Sequence, residues 1–208
     1  MTRSIPYNVP LNTYVLREAI GEYRSPNDKI SRMQKEGELI RIKKGMYVAN
    51  PTENGQEISR ELIANNLYGP SYVSFQSALS YHGLIPERVR AVLSATTKRA
   101  KSYSTPLGFF QYITMPLAYY PIGVTQVIVE NQYAFLMASP EKALCDLIIT
   151  TAGLRFQSAK AAREYLLHDL RIDYYEHPNW NIQIIQQCAQ HNRKTRELNF
   201  LIKTLQDG

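Results

Sequence analysis

The apolar positions of the first fifty residues keep a helical period and then switch to an alternating one. In LNTYVLREAIGEY, Leu11, Val15, Leu16, Ala19 and Ile20 form one helical stripe. SPND then opens a second helix, in which Ser25 suits the cap, Pro26 the first helical position and Asp28 the acidic first turn. Ile30 and Met33 share one face of that helix, and at about 100° per residue Asp28, Ser31, Arg32 and Lys35 fall opposite. Gly37 ends it as a C-cap would. ELIRI alternates with period two, burying Leu39 and either neighbouring set, then KKG turns the chain and MYVA returns it. Helix, helix and hairpin in this order spell a compact winged helix-turn-helix. The usual module has three helices before its wing, so here the first two are abbreviated or residues 5–10 supply an irregular turn.

The polar stretch NPTENGQ, residues 50–56, reads as the domain boundary. A helix follows near 57–67 with Ile58, Leu62 and Ile63 on one side, and a short helix capped by Ser74 carries Ala78 and Leu79 and stops at Gly83 and Pro86. From Arg88 to Met137 the rhythm is that of strands: VRAVLSAT, GFFQYITM, GVTQVIVE and YAFLMA, punctuated by Pro, Gly and ENQ turns. SPEKALCDLIIT restarts a helix at Ser139 and Pro140, and helices are predicted over 158–169 and 181–206. The fold class is therefore α/β in the broad, α+β sense. A winged helix-turn-helix over residues 1–50 precedes an α/β domain over 57–208, with a mostly antiparallel sheet and C-terminal helices.

Composition narrows the setting. The 208 residues are 44% hydrophobic and 20% charged, enough for a real core. No run approaches the ~18 apolar residues of a membrane helix, and the N-terminus has no signal-peptide core, so a cytoplasmic protein without a membrane partner is expected. Cys145 and Cys188 lie far apart with no CxxC pattern and no histidine at ligand spacing, and they read as buried thiols. Nothing in the sequence calls for a metal or a cofactor.

The net charge of +6 is unevenly spread. Residues 1–50 carry nine Lys and Arg against five Asp and Glu, residues 51–140 six against five, and residues 141–208 nine against eight. A second basic cluster holds Arg88, Arg90, Lys98, Arg99 and Lys101. A basic surface confined to one module suits a polyanionic partner. On the predicted helix and hairpin, Ser31, Arg32, Lys35, Arg41, Lys43 and Lys44 are the candidate DNA-binding residues. A guanidinium binds guanine bidentately, which gives Arg32 the base-edge role, and Lys43 and Lys44 would clamp phosphates. The second cluster extends the DNA path, meets a protein or its nucleic-acid substrate or another subunit, or is a solvated loop.

Catalytic readings fare worse. Ser74, Ser77 and His82 sit in SFQSALSYHGL without a nucleophile elbow; Ser74 is better placed as a helix cap and His82 as a helix C-terminal residue. Glu141 and Asp146 lie about 140° apart around their helix, so they are not a same-face carboxylate pair. Glu141 serves the helix start and Asp146 pairs with a basic neighbour. No enzyme is expected. The fifteen tyrosines, dense in LAYYPIG and DYYEHPNW, serve as core and rim packing or as an interface.

Four segments, KISRMQKEGELIRIKKGMYV, SYVSFQSALSYHGLIPE, SATTKRAKSYSTPLGFFQYI and ASPEKALCDLI, occur in the order typical of another group of proteins. Over roughly residues 13–150 the chain resembles the AbiEi-like antitoxins of type IV toxin–antitoxin systems. The resemblance implies an N-terminal winged helix that binds operator DNA and represses its own operon. It also implies a C-terminal α/β domain that opposes a nucleotidyltransferase-like toxin, in the best-known members without a stable complex. The rival readings are a protein-binding module that captures a partner directly, and a stand-alone winged-helix regulator without a toxin.

Overall fold

The computed structural model describes residues 9–50, 58–87, 89–130, 132–177 and 179–207. Its first unit runs strand β1 (Leu11–Asn12), helix α1 (Thr13–Ile20), helix α2 (Pro26–Lys35) and the hairpin β2 (Leu39–Lys43) with β3 (Met46–Ala49). The three strands form an antiparallel sheet in the order β1-β3-β2. Leu11 therefore belongs to a strand and not to the helical stripe, and Val15 is exposed, leaving Leu16, Ala19 and Ile20 as the buried face of α1. Of residues 5–10, only 9 and 10 lie within the described residues, and the boundary segment predicted at 50–56 lies outside them from residue 51 onward.

Local chemistry ends the helices where the sequence suggests, except that two of the expected serine caps, Ser25 and Ser74, make no capping bond. The Asn12 side chain accepts from Val15 N–H at 2.9 Å and caps α1. Ser25 occupies the cap of α2 but its hydroxyl makes no capping bond. At the other end of α2, Glu38 N–H reaches Met33 O at 2.9 Å and Gly37 N–H reaches Gln34 O at 3.3 Å, the paired bonds of a Schellman turn. That turn holds Gly37 at φ +79°, where a Cβ is strained although the space around it is open. Gly37→Ala will cost on the order of 1 kcal/mol, read as a lowered urea midpoint with an unchanged slope.

The hairpin is buried on both faces, which explains why its alternation pointed to no single one. Leu39, Tyr47 and Ala49 pack with Leu11, Leu16, Ile20, Ile30 and Met33 in a small core under α1 and α2. Ile42 and Val48, with the half-buried Ile40 and Met46, join the large core of the second unit instead. A bulge sits between Arg41, opposite Tyr47, and Lys43, opposite Met46. The extra residue, Ile42, breaks the period of two, so Lys43 does not share a side with Arg41.

In the second unit, α3 (Arg60–Leu67) leads into β4 (Ser71–Val73) and α4 (Phe75–Tyr81). Then come β5 (Ala91–Thr96), β6 (Lys101–Thr105), β7 (Gly108–Thr114), β8 (Val124–Val129) and β9 (Tyr133–Ala138). The sheet order is β6-β7-β5-β4-β9-β8. Three of its neighbouring pairs are antiparallel, as expected of a mostly antiparallel sheet, and two, β5–β7 and β4–β9, are parallel, which makes the sheet mixed. The short β4 and the hydrophilic β6 were not expected as strands, and both carry pairings the four longer strands could not make alone.

Helix α5 (Pro140–Thr150) is buried from Glu141 to Ile148 and packs on α4, β9, α7 (Ile182–Gln190) and α8 (Thr195–Gln206). Helix α6 (Ala159–Glu164) continues into a π-helical turn over Tyr165–Asp169, and the single helix expected over 181–206 is two, α7 and α8, parted at residues 191–194. Ser139 and Ser158 cap α5 and α6 through their side chains. Among the described residues, no helix is long and apolar enough to cross a membrane.

Candidate nucleic-acid interface

Between α2 and the tip of the β2–β3 hairpin lies a groove of about 360 Å3. Asn27, Ser31 and Gln34 line it from the helix, Arg41, Lys44 and Gly45 from the hairpin, and Thr13 from the start of α1. The helix residues are spaced four and three apart and so lie on one stripe. Gly45 takes φ +79° at the tight turn, and its carbonyl accepts from Thr13 N–H at 3.1 Å, tying the hairpin tip to α1. Arg17 donates to Asn27 Oδ1 at 2.7 Å and ties α1 to α2. No carboxylate lines this groove among the described residues, and the side chains of Ser31, Arg41 and Lys44 are exposed.

The six predicted contact residues divide three ways. Ser31, Arg41 and Lys44 meet in the groove. Arg32 and Lys35 are exposed one stripe further round α2; Arg32 lies 3.8 Å from Glu36 and donates to Tyr23 at 3.5 Å, contacts of two half-exposed side chains worth little in water. Lys43 is turned away. Its ammonium donates to Leu67 O and lies 5.9 Å from the centre of the Tyr103 ring, so it fastens the hairpin to the second unit and cannot serve as a phosphate clamp in this arrangement. The bulge at Ile42 is the cause.

Asn27, Gln34 and Thr13 were not among the predicted residues. The 27, 31, 34 spacing was readable, but grouping Ser31 with Arg32 and Lys35 favoured the charged stripe over its polar neighbour.

The second basic cluster is also divided. Arg90 and Lys98 stand at opposite ends of β5, roughly 20 Å of strand apart. Arg90's carbonyl accepts from Arg60 at 2.6 Å, and Arg88 lies outside the described residues. Lys98, Arg99 and Lys101 remain together. Lys98 and Arg99 lie in the connection between β5 and β6, Lys101 opens the edge strand β6, and the lysines pack on tyrosines: Lys98 and Lys101 lie 5.5 and 5.6 Å from the Tyr68 ring, and Lys101 lies 4.8 Å from Tyr103. Tyr68 donates to Arg99 O at 3.1 Å, and Lys98 donates to Gly69 O at 2.6 Å.

The residues that a search for a catalytic centre would single out serve the core. Asp146 Oδ2 accepts from Ser74 at 2.6 Å and Tyr72 at 3.0 Å; Oδ1 accepts from Tyr119 at 2.7 Å and lies 3.3 Å from Lys142 Nζ. Lys142 also donates to Tyr119 O at 2.9 Å. Asp146 thus pairs with a basic neighbour as expected, whereas Ser74 gives its hydroxyl to Asp146 and not to its own helix. Burial raises the Asp146 pKa, opposed by Lys142 and then by the three hydroxyls. Burial and Asp146 together push the Tyr72 and Tyr119 phenols up. Asp146, Lys142 and Ser74 are sealed from solvent, so no substrate reaches them. His82 points elsewhere, with Nε2 2.9 Å from Ala138 O. Glu141 accepts from Ser139 at 2.8 Å and from Asn181 N–H at 2.8 Å, serving the helix start. Cys145 and Cys188 are free and buried. Among the described residues no group of His, Cys, Asp and Glu could hold a metal ion.

No protein-family model matches the chain, and no curated protein matches it. Among solved structures, the crystal structure of the RV2827C protein from Mycobacterium tuberculosis aligns over 94% of this chain and 76% of that one, at a TM-score of 0.52 and 14% identity. The likeness is one of fold. It extends over both units of the chain, and at that identity it says nothing of chemistry.

Proposed function

We propose that this protein is a non-enzymatic DNA-binding autoregulator, with residues 1–50 as a winged helix-turn-helix and the second unit as an effector domain. One observation carries the reading. The groove between α2 and the hairpin is lined by polar and cationic side chains together with Ile30 and Tyr47, and among the described residues by no carboxylate. In this reading α2 enters the major groove, Asn27, Ser31 and Gln34 face base edges, and Arg32 and Lys35 reach the flanking bases or backbone. Arg41 and Lys44 neutralise phosphate. The strand order β1-β3-β2 with two helices on one face supports the module assignment. The resemblance to AbiEi-like antitoxins supplies the biological setting: operator binding, repression of the protein's own operon and opposition to a nucleotidyltransferase-like toxin. Residence in the cytoplasm agrees with two buried free thiols.

The test is a gel shift with the duplex upstream of the protein's own gene and an unrelated duplex of equal length. Specific binding that weakens at least about a hundredfold between roughly 50 and 200 mM salt, as ~4 phosphate contacts require, is the expected result. Absence of a shift at low salt, or equal affinity for both duplexes, would overturn the reading.

A further inference from the structure

A second concave site shares no residue with the α2–hairpin groove. It is an open cleft of about 680 Å3, bounded by the chain leaving β7, the C-terminal end of α5 and the α7–α8 turn at residues 190–194. Volume of this order holds a ligand of mononucleotide size.

The turn is built, not loose. The Asn192 amide donates to Cys188 O while its oxygen accepts from Lys194 N–H at 2.6 Å. The Thr195 hydroxyl donates to Ala189 O at 2.8 Å. Lys194 Nζ donates to Ile148 O at 2.9 Å and Thr151 O at 2.6 Å, the open carbonyls at the end of α5. These bonds fix the path of the turn and set the side chains of His191 and Arg193 at the rim, exposed and without a side-chain partner among the described residues.

Charge and polarity select the ligand. Arg193 and Lys194 bring two cations to the cleft, His191 adds a ring donor, and no carboxylate lines it among the described residues. The second wall, from the segments after β7 and at the end of α5, offers the apolar Met115, Pro116 and Ile149 beside Thr114 and Thr150. An anion answers the first wall and a planar, weakly polar ring answers the second. We propose that this cleft binds a nucleoside phosphate, its phosphate held by Arg193 and His191 at the rim and its base laid against Met115, Pro116 and Ile149. An extended nucleic acid fits less well, because the cleft accommodates a single nucleotide and is not a track. The site does not depend on the DNA-binding reading, since it lies on different elements and uses different residues.

Calorimetric titration of the full chain with a purine nucleoside triphosphate, the matching nucleoside and inorganic phosphate tests this, alongside thermal melts. The triphosphate should bind and raise the melting temperature. The nucleoside and inorganic phosphate should each bind at least about tenfold more weakly, since each meets one wall only. Arg193→Ala and His191→Ala should melt as wild type without ligand and lose about tenfold or more in triphosphate affinity, the size of a lost charge-assisted hydrogen bond. Arg41→Ala/Lys44→Ala should bind it unchanged. The proposal is overturned by no heat and no melting shift with the triphosphate, or by inorganic phosphate binding as tightly. It is equally overturned by affinity that survives both rim variants or disappears in the Arg41/Lys44 variant.

Discussion

Asp146→Ala will remove a large share of the protein's stability. The carboxylate accepts from Ser74, Tyr72 and Tyr119 and faces the Lys142 ammonium, and none of its own surface reaches water. Truncation leaves Lys142 charged and buried with one carbonyl partner, Tyr119 O, and orphans three hydroxyls. Breaking a buried pair from one side costs about 3–5 kcal/mol, a large share of the ~5–15 kcal/mol that holds a domain together. Chemical denaturation should show that loss as a shifted midpoint, with the variant partly unfolded at 37 °C. Lys142→Met/Asp146→Asn should recover more than half of it, because the side-chain oxygen of Asn still accepts hydroxyl hydrogen bonds and no charge is left stranded. An Asp146→Ala protein within about 1 kcal/mol of wild type would show that the network contributes little.

The second large effect concerns the groove. Arg41→Ala/Lys44→Ala should weaken operator binding and flatten its salt dependence by nearly two units, about 0.9 for each phosphate no longer neutralised. Arg32→Ala should act differently, costing about 1–3 kcal/mol on the preferred duplex and less on an unrelated one. Lys43→Ala is the internal control. It should leave the salt slope unchanged and lower stability by about 1 kcal/mol through the lost bond to Leu67. Filter binding across a salt series reads all three. A Lys43 variant that flattens the slope as much as the Arg41/Lys44 pair would reverse the assignment of sides on this hairpin.

Much of the first unit could be read from residue order, because its determinants are local. The helical period of Leu16, Ala19 and Ile20, the Pro26 start, the Gly37 stop and the KKG turn all act within a few residues. What escaped reading was non-local. Nothing near Ile42 announces that the strand will bulge there or that a second core will cover its other face. In the second unit, β6 is hydrophilic because it is an edge, and KSYST reads as loop until β7 pairs with it. The parallel pairing of β5 with β7 joins residues with an intervening strand between them, which alternation cannot foretell. The basic surface from Arg88 to Lys101 is contiguous in sequence, yet β5 carries Arg90 to the far end of the sheet. The buried Asp146 network depends on Tyr72, Ser74 and Tyr119 arriving from three separate segments. Only its pairing with a basic residue one helical turn away was local enough to foresee.

The two-faced hairpin has a mechanical corollary. A wing that hangs free on one side can swivel to follow the curvature of a duplex. Here Ile40, Ile42 and Val48 are committed to the neighbouring core, and Lys43 rivets the strand to Leu67. In the proposed DNA-binding role, the hairpin is therefore aimed by the body behind it. Strain imposed on the wing by a bent duplex would press directly on α3, and anything that reshapes the ground around Leu67 and Tyr103 would tilt the hairpin in return.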